Sequence, residues 1–447
     1  MPFKGLTYNF NSHTDFGSLV APPYDVISEE EQEAYHQIHP ANVIHLILGK
    51  KKTGDSDWDN RYTRAADHFE RWQSDGTLIR ATQPSIYVTS LEYDLKDGEG
   101  RRTRWGMGVL VRIEDEGSGT ILPHEKTFSA HRDDRLKLMR ACKAQLSQIF
   151  GLYEDPDNAI LQTLRKAIDF PPPVAFDFAD GTSHRMWILK SRSLAEKIAS
   201  AMSNKRIFIA DGHHRYETAR NFRNIMRTRY GGRPTNRSYE YVMMYLTSMD
   251  DEGLTILPSH RLIKEVADFQ LIPFLETLKT CFQITELPFS NLNISRECAA
   301  LRRSLLEMGQ DGSAIAFCLR KEENIYLLKL KPSAIKEMGH DIAPCLEKLD
   351  VMVLSRLILE RALHFVEKNL DNERLFHYES DMEKAVSEVQ SGKYQMTFLL
   401  NPTKIDQVKE IAAKSLYMPR KSTYFYPKIL TGLVFNKIDP HETIQIP

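Results

Sequence analysis

The sequence IFIADGHHRY at residues 207–216 is the stretch around which the rest of the chain can be interpreted. The run from Arg206 to Ala210 is β-branched and aromatic, which predicts a short buried strand. From Tyr216 onward, apolar residues recur at helical spacing and predict an amphipathic helix. Asp211 and Gly212 therefore form the turn between a strand and a helix, and we expect the Asp211 carboxylate to cap that helix.

This turn has the chemistry of a phosphate site. Gly212 lacks a Cβ and lets a ligand approach the backbone, while the positive end of the helix favours an anion. Arg215 adds a forked donor, and His213 and His214 add polar groups that folding does not require. An ordinary structural junction is the alternative. Zinc on the two histidines fits less well, because no H-x-x-x-H or C-x-x-C spacing accompanies them.

Composition sets limits on the class of protein. A chain of 447 residues is too long for one ordinary core, so we expect two or three subdomains. The net charge of -1 gives no general basic surface for nucleic acid. No N-terminal signal and no apolar run long enough for a membrane span is present. The five scattered cysteines fit a reduced, cytoplasmic protein.

Several elements outside the central turn can be predicted from local patterns. Asn42 to Leu48 is an apolar run that we interpret as a strand. Asp59 to Gln73 has one apolar face at helical spacing and predicts an amphipathic helix. Ser85 to Leu95 and Arg101 to Ile113 flank a Gly-containing turn, which indicates a β-hairpin.

Two polar clusters in the first third of the chain are further site candidates. Tyr24 and Asp25 follow a Pro-Pro pair, which forces an extended segment; this loop forms either a pocket wall or a structural turn. His124, Glu125 and Lys126 stand within three positions and offer a base and a phosphate clamp. A solvated loop is the alternative for this second cluster.

Two clusters in the second half of the chain are comparable. His260 and Arg261 stand near the end of a predicted strand, as site residues or as surface groups. Lys421, Ser422 and Thr423 precede a run of aromatic residues near the C-terminus. Basic, hydroxyl and aromatic groups together suit phosphates or a nucleobase, but an aromatic closure of the core explains this stretch too.

The distribution of these motifs suggests two regions. Residues 265–345 alternate helical segments with strands and lack clustered polar motifs. We therefore predict a nucleotide-binding catalytic region at residues 1–264, followed at 265–447 by a smaller α+β subdomain with a C-terminal closing segment. The expected fold class is α+β.

Taken together, the motifs resemble one family. The residues that carry the resemblance are APPYDV at 21–26, PHEKT at 123–127, DGHHRY at 211–216, PSHR at 258–261 and KSTYF at 421–425. On this set the chain resembles an uncharacterised prokaryotic family called domain of unknown function 1015, over nearly its whole length. Relatives of this family are often encoded near serine-biosynthesis genes, which points toward serine as a substrate.

The central turn is also similar to the Gly-x-His-Arg turn of sulfiredoxins and the Gly-Glu-Arg-Arg turn of ParB-like nucleotide-binding domains. Free-serine kinases are built on the same fold. The resemblance implies a ParB/sulfiredoxin-like mixed-sheet core in which Gly212, His213, His214 and Arg215 hold nucleotide phosphates. The catalytic cysteine of sulfiredoxins would fall near His213, so peroxiredoxin repair is not expected. The DNA-binding helices of ParB are not evident either.

The leading hypothesis is a nucleotide-dependent phosphotransferase, a kinase acting on a small hydroxyl substrate such as free serine. Glu125 is the expected base, and His124 and His213 are the other catalytic candidates. Asp211 is also a candidate ligand for Mg²⁺, which takes one or two carboxylates plus phosphate oxygens. The expected phosphate-binding residues are Lys126, Asp211, Gly212, His214, Arg215, His260, Arg261, Lys421, Ser422 and Thr423.

The sequence leaves other functions open. A phosphate-ester hydrolase would use water in place of the acceptor hydroxyl. A nucleotide-binding switch would bind without useful turnover. The expected cofactors are ATP or ADP with Mg²⁺, and the expected partners are this nucleotide and a small-molecule substrate, with neither nucleic acid nor membrane. The sequence also leaves open a homodimer.

Overall fold

The chain divides into two compact units. The computed structural model describes residues 1–13, 15–95, 100–127, 129–290, 293–366, 372 and 374–445. The first unit is Met1–Leu254 together with Pro427–Pro447, and the second is Thr255–Tyr426. The observed division therefore differs from the expected boundary after residue 264 at both ends of the second unit. The C-terminal segment returns to the first unit, because its apolar residues complete that unit's core.

The first unit alternates strands with helices. Its strands are β1 (Leu6–Tyr8), β2 (Leu78–Arg80), β3 (Ile86–Asp94), β4 (Arg101–Arg112), β5 (Ile121–Leu122), β6 (Ala144–Gln145), β7 (Ile149–Tyr153), β8 (Val174–Asp177), β9 (Ser183–Leu189), β10 (Ile207–Asp211) and β11 (Tyr241–Ser248). Its helices are α1 (Glu29–Ile38), α2 (Ile44–Ile47), α3 (Arg61–Ser74), α4 (Ser129–Cys142), α5 (Ala159–Lys166), α6 (Arg192–Met202) and α7 (His213–Tyr230). A 3₁₀ turn, Ser238–Glu240, precedes β11.

An eight-stranded mixed sheet forms the centre of the described first unit, with the strand order β5-β10-β7-β11-β4-β3-β9-β8. The β5–β10 and β7–β11 pairs are parallel, and the other neighbours are antiparallel. The sheet with its surrounding helices confirms the predicted α+β class. β3 and β4 confirm the predicted hairpin, whose turn at residues 96–99 lies outside the described residues.

The predicted strand at Asn42 to Leu48 is wrong, because the structure has the short helix α2 there. The Asn42 side chain accepts a hydrogen bond from the Ile44 N–H at 2.8 Å. It also donates to the carbonyls of Ser18 at 2.7 Å and Val20 at 3.1 Å. These bonds anchor a tight turn at the start of the segment. A short apolar run does not by itself distinguish a buried strand from a buried helix.

The second unit has its own sheet and core. Its strands are β12 (Thr255–Leu257), β13 (His260–Ile263), β14 (Phe282–Pro288), β15 (Ala314–Leu319), β16 (Asn324–Leu330), β17 (Phe376–Glu379), β18 (Met396–Leu400) and β19 (Tyr424–Tyr426). Its helices are α8 (Leu271–Cys281), α9 (Ile294–Met308), α10 (Asp350–Val353), α11 (Met382–Gln390) and α12 (Ile405–Ala413). A 3₁₀ segment, Pro332–Met338, precedes α10, and a π-helical segment, Leu354–Glu360, continues it.

The described strands β14-β16-β15-β18-β13-β17 form an antiparallel six-stranded sheet in that order. β12 pairs with β19, so the two points where the chain enters and leaves the second unit lie side by side. After that unit, β20 (Asn436–Lys437) pairs with β6 in the first unit. Over the residues that the structure describes, no helix combines the length and hydrophobicity needed to cross a membrane.

Candidate functional site

Two of the predicted polar clusters meet at one edge of the large sheet. β5 and β10 are parallel neighbours, with Leu122 opposite Phe208. Parallel strands place their carboxyl ends at the same edge, where ligands of α/β sheets commonly bind. The chain leaves β5 into residues 124–126 and leaves β10 into residues 212–215. The topology of the sheet therefore brings the His-Glu-Lys cluster to the Gly-His-His-Arg turn.

Helix α7 begins directly after Gly212. This glycine is the N-cap, with a φ of 93°, a left-handed conformation that favours glycine. The expected N-cap role of Asp211 is therefore wrong: Asp211 is the last residue of β10, and its carboxylate bonds to side chains instead. Gly212 offers no side chain to cap α7. Because the first N–H groups of a helix lack intrahelical acceptors, they suit an anionic ligand.

A cluster of three charged side chains lies at this helix start. One carboxylate oxygen of Asp211 pairs with Arg215, and the other pairs with Lys428. The exposed fractions of these three side chains are only 11–13%. Arg215 also donates to the carbonyl of Gln148, immediately before β7. Two cations therefore share one carboxylate at the start of α7.

His124 and His213 form a buried pair beside this cluster. Their ring centroids are 4.7 Å apart, edge to face, and the His124 backbone N–H donates to His213 Nε2 at 3.3 Å. Burial lowers the pKa of His124 to about 4 and the pKa of His213 well below its usual range. Both rings are therefore neutral at pH 7. With pKa values so far below neutrality, they are weak bases.

The other predicted residues of this edge surround the pair. The ring of His214 lies 5.1 Å from that of His131, in the first turn of α4. Glu125 is half-buried and Lys126 is exposed. Glu125 adjoins His124 in the chain, as His214 adjoins His213. The contact between the two buried rings therefore places Glu125 and His214 at the same edge.

Tyr24 belongs to the same region, whereas Asp25 is exposed. The guanidinium of Arg135 lies 3.9 Å from the centroid of the Tyr24 ring. Tyr24, Arg135 and Arg215 line one cavity of about 50 Å³. Burial, reinforced by Asp25, raises the pKa of Tyr24 to about 12, although both arginines oppose this shift. The cavity is far smaller than a typical small-molecule site of about 300–1,000 Å³, so it is too small to enclose a nucleotide.

Neither the histidine pair nor Asp211 has the surroundings of a metal site. The described residues contain no group of three or more His, Cys, Asp or Glu side chains arranged to hold a metal ion. Both oxygens of Asp211 already accept bonds from cations. Asp211 would have to give up Arg215 or Lys428 before it could ligate Mg²⁺, so these residues do not fit a resident Mg²⁺ ion.

Arg261 is a predicted phosphate ligand. In the structure its side chain makes hydrogen bonds that anchor a turn of the second unit. Its guanidinium donates to the carbonyls of Arg420 and Lys421 at 3.0 and 2.9 Å, and to the Ser259 hydroxyl at 2.9 Å. It also lies 4.5 Å from the centroid of the Tyr378 ring. Through these contacts Arg261 stabilises the structure of the second unit. Its role in phosphate binding stays a prediction.

The remaining predicted residues of the second unit are also buried or half-buried within it. His260 is fully buried, and its Nδ1 accepts from the Leu400 N–H at 3.1 Å. Burial lowers the pKa of His260 to about 3. Ser422 is buried, and its carbonyl accepts from the Thr403 hydroxyl at 2.7 Å; Thr423 is half-buried. The site roles of these residues also stay predictions.

Lys428 is the site residue that the sequence did not reveal. It lies in the aromatic and basic C-terminal stretch, but five positions beyond Thr423. Arg104 fixes its position: this fully buried arginine donates to the carbonyl of Pro427 at 2.8 Å and lies 4.8 Å from the centroid of the Phe150 ring. No local pattern links Arg104 to a residue 323 positions later.

Arg135 and His131 also contact the predicted residues, although the sequence did not single them out as site candidates. Both belong to the charged run at residues 131–135, which folds into α4. Their spacing places both in the first two turns of that helix. The sequence feature that could have indicated these two residues is the charged start of a helix next to the His-Glu-Lys cluster.

A family model described as "Protein of unknown function (DUF1015)" matches residues 1–352. A search of curated proteins found no match. Among solved structures, a conserved hypothetical protein from Pyrococcus furiosus has 13% identity, covers 72% of this chain and 92% of its own, and gives a TM-score of 0.33. A free serine kinase in complex with AMP has 12% identity, coverage of 71% and 86%, and a TM-score of 0.33.

The protein SbnI from Staphylococcus aureus, with a C-terminal truncation, has 11% identity, coverage of 72% and 85%, and a TM-score of 0.33. TM-scores this low carry no argument about activity. The function therefore has to be inferred from the site.

Proposed function

The chain belongs to the DUF1015 family, and we propose that it is a nucleotide-dependent phosphotransferase acting on a small hydroxyl substrate, such as free serine. The observation that carries this proposal is the buried cluster of Asp211, Arg215 and Lys428 at the start of α7. Phosphoryl transfer depends mainly on positioning and on electrostatic stabilisation of the phosphates. A helix start with two ordered cations supplies both.

Arg215 and Lys428 are assigned to the phosphates. Arg215 presents a planar fork that suits phosphate oxygens, and Lys428 adds a point charge. Asp211 keeps both cations in place before the ligand arrives, which lowers the cost of ordering them on binding. Gly212 allows the phosphate to approach the N–H groups of α7. ATP or ADP is the nucleotide suggested by the resemblance of this turn to nucleotide-binding families.

Glu125 is assigned as the base for the acceptor hydroxyl. It follows β5 at the edge where α7 begins, and it is only half-buried. His124 and His213 are poorer bases, because burial lowers their pKa values. As neutral buried rings they form a wall of the site. Lys126 is exposed beside Glu125, where its ammonium group helps to neutralise substrate charge.

Mg²⁺ is assigned to the nucleotide and not to Asp211. Magnesium commonly reaches such sites bound to phosphate oxygens and water. Since Asp211 already bonds two cations, this chain's contribution is the positive charge of Arg215 and Lys428. A homodimer and a cytoplasmic location remain predictions from the sequence.

The test is to incubate the protein with Mg²⁺ and ATP, ADP or CTP, with and without serine, and to follow phosphorus species by ³¹P NMR. We expect a serine-dependent phosphomonoester signal. Glu125→Gln should lose this signal and keep nucleotide affinity, whereas Glu116→Gln, at an exposed glutamate of the same unit, should keep both. Inorganic phosphate alone would indicate a hydrolase, and binding without turnover a switch. If the protein shows neither nucleotide binding nor turnover, the proposed phosphate site is refuted.

A further inference from the structure

The second unit contains a cavity that the proposed phosphate chemistry does not use. Its volume is about 540 Å³, which lies within the range of about 300–1,000 Å³ typical of small-molecule sites. The cavity lies among the turn after α9, the start of α10 and the loop that follows β18. The polar residues important for its chemistry are Ser313, Lys348, Asp350, Asn401 and Lys404.

Asp350 gives this cavity an anionic wall. One of its carboxylate oxygens accepts from the Ser313 hydroxyl at 2.6 Å, and the other accepts from the Asn401 amide at 3.3 Å. Burial raises the pKa of Asp350, although the bonds from Ser313 and Asn401 and a backbone bond from Ala314 oppose this shift. No basic side chain within the described residues forms an ion pair with it. The hydrogen bonds satisfy this carboxylate without neutralising its charge, so a cationic ligand beside it would gain a favourable charge interaction.

The wall around Asp350 is closely fitted. A Cβ on Gly309 would lie 2.5 Å from the Asn401 amide nitrogen, so glycine lets Asn401 approach. The same amide donates to the carbonyls of Leu305 at 3.1 Å and Ala314 at 3.3 Å. Asn401 is thus held by α9 and β15 and presents its amide to Asp350. This fixes the orientation of the carboxylate.

Two lysines lie at this cavity, together with two acidic residues, Asp311 and Glu347. Lys348 and Lys404 are exposed and line the opening. Neither ammonium group pairs with a carboxylate in the part of the chain that the structure describes. Lys348 is two positions before Asp350, and Lys404 is three positions after Asn401. The cavity therefore combines a hydrogen-bonded carboxylate with two ammonium groups in one lining.

We propose that this cavity binds a small molecule with both an amine and an anionic group, the chemistry of an α-amino acid. The ammonium group of the ligand pairs with Asp350, and its carboxylate meets Lys348 and Lys404. Apolar side chains, including Leu330 and Ile335, also line the cavity and leave room for a ligand side chain. This site is separate from the phosphate cluster, and its existence does not depend on the proposed phosphotransferase activity.

The test is calorimetric titration of the full chain with the standard α-amino acids. The comparison ligands are 2-hydroxy acids, which lack the amine, and simple primary amines, which lack the carboxylate. We expect saturable binding only when both groups are present. Asp350→Asn should weaken binding at least about tenfold, equivalent to about 1.4 kcal/mol. Asp268→Asn, at an exposed position of the same unit away from the cavity, should leave affinity unchanged.

A second variant covers the case in which Asp350→Asn fails to fold. Combining Lys348→Gln with Lys404→Gln changes only exposed rim side chains, and it should also weaken amino-acid binding. Serine is our proposed acceptor in the first unit, so other amino acids are titrated as well. Loss of their binding in either variant assigns the ligand to this cavity. No binding by any amino acid, or binding that both variants retain, would overturn the proposal.

Discussion

A single carboxylate, that of Asp211, orders the cations of the proposed phosphate site. Its partners come from α7 and from the C-terminal segment, and Lys428 is 217 positions away in the chain. Because the three side chains are largely buried, their charges are weakly screened by solvent. An arriving phosphate meets cations that are already in position.

Replacing Arg215 with alanine should weaken nucleotide binding. The residue supplies a charge-assisted donor, typically worth about 1.5–3 kcal/mol, so we expect about a ten- to hundredfold loss of affinity by calorimetry. Arg229→Ala is the control, since Arg229 is exposed at the far end of the same helix. Equal affinity of the Arg215 variant and the unaltered protein would exclude Arg215 as a phosphate ligand.

The sequence and the structure point to different lysines of the C-terminal stretch as the phosphate ligand: Lys421 from the sequence and Lys428 from the structure. Lys428 pairs with Asp211, whereas the backbone carbonyl of Lys421 accepts a hydrogen bond from Arg261. Lys428→Gln should therefore reduce nucleotide affinity about tenfold or more, the value of one charge-assisted contact. Lys421→Gln should leave it unchanged. If calorimetry shows that Lys421→Gln lowers nucleotide affinity and Lys428→Gln does not, Lys421 is the phosphate ligand, as predicted from the sequence.

The buried histidines make the stability of the first unit depend on pH. The pKa of His124 is about 4 in the folded state and about 6.5 when unfolded, so the unfolded chain binds the proton first. This stabilisation is complete above pH 6.5 and is lost as the pH falls toward 4, by at most about 3 kcal/mol for this residue. The free energy of unfolding should therefore fall on acidification.

Urea unfolding at several pH values, followed by tryptophan fluorescence, tests this dependence. All four tryptophans lie in the first unit, so the signal reports that unit alone. His124→Gln should reduce the pH slope between pH 6.5 and 4, whereas His441→Gln, at an exposed position, should not. Equal slopes for the two variants would show that His124 is protonated in the folded state as readily as in the unfolded state.

At the scale of the elements, the parallel pair β5–β10 explains why two distant motifs meet. Both strands end at the same edge; β10 leads through Gly212 into α7, whereas β5 is followed by the His-Glu-Lys cluster before α4 begins. The antiparallel strand β7 begins at that edge and contributes the Gln148 carbonyl to Arg215. The site therefore depends on the sheet remaining intact.

Gly106 allows β4 and β11 to pair at this sheet. A Cβ at this position would lie 2.1 Å from the Tyr245 ring, and Phe150 and Arg104 pack against the same ring. Gly106→Ala should thus destabilise the first unit by about 1–3 kcal/mol, as overpacking usually does. Gly232→Ala is the control, because no atom lies within 4 Å of its added Cβ. Equal urea midpoints for the two variants would contradict this reading of the contact.

At the scale of the whole molecule, the second unit is an insertion in the first. The chain leaves the first unit after Leu254 and returns at Pro427. Thr255 and Tyr426 are paired across β12 and β19, so the two ends of the insertion lie about 5 Å apart by the geometry of antiparallel strands. Each unit also has hydrophobic clusters of its own.

The first unit should consequently fold without the insertion. Joining Leu254 to Pro427 through a short Gly-Ser linker keeps Asp211, Arg215 and Lys428 in one chain. We expect cooperative unfolding by tryptophan fluorescence and nucleotide affinity within about threefold of the full chain, a difference of less than 1 kcal/mol. A well-folded variant that has lost nucleotide binding would show that the second unit contributes to the site.

The sequence by itself determined the local structure around the site. β-branched residues before Asp211 and helical spacing after Gly212 were enough to predict β10 and α7, because strand and helix periodicity act over neighbouring residues. The hairpin of β3 and β4 followed from the same kind of pattern. The α+β class was predicted correctly for this reason.

Only the tertiary structure decided which distant residues meet. In the C-terminal stretch it is Lys428 that reaches the site, and Arg104 bonds to the residue before it. Asp211, which the sequence predicts as a helix cap, instead bonds two cations. The tertiary structure also made a helix of the apolar run at residues 42–48. These outcomes depend on which surfaces pack together across hundreds of residues, and packing of that range has no periodic signature in the sequence.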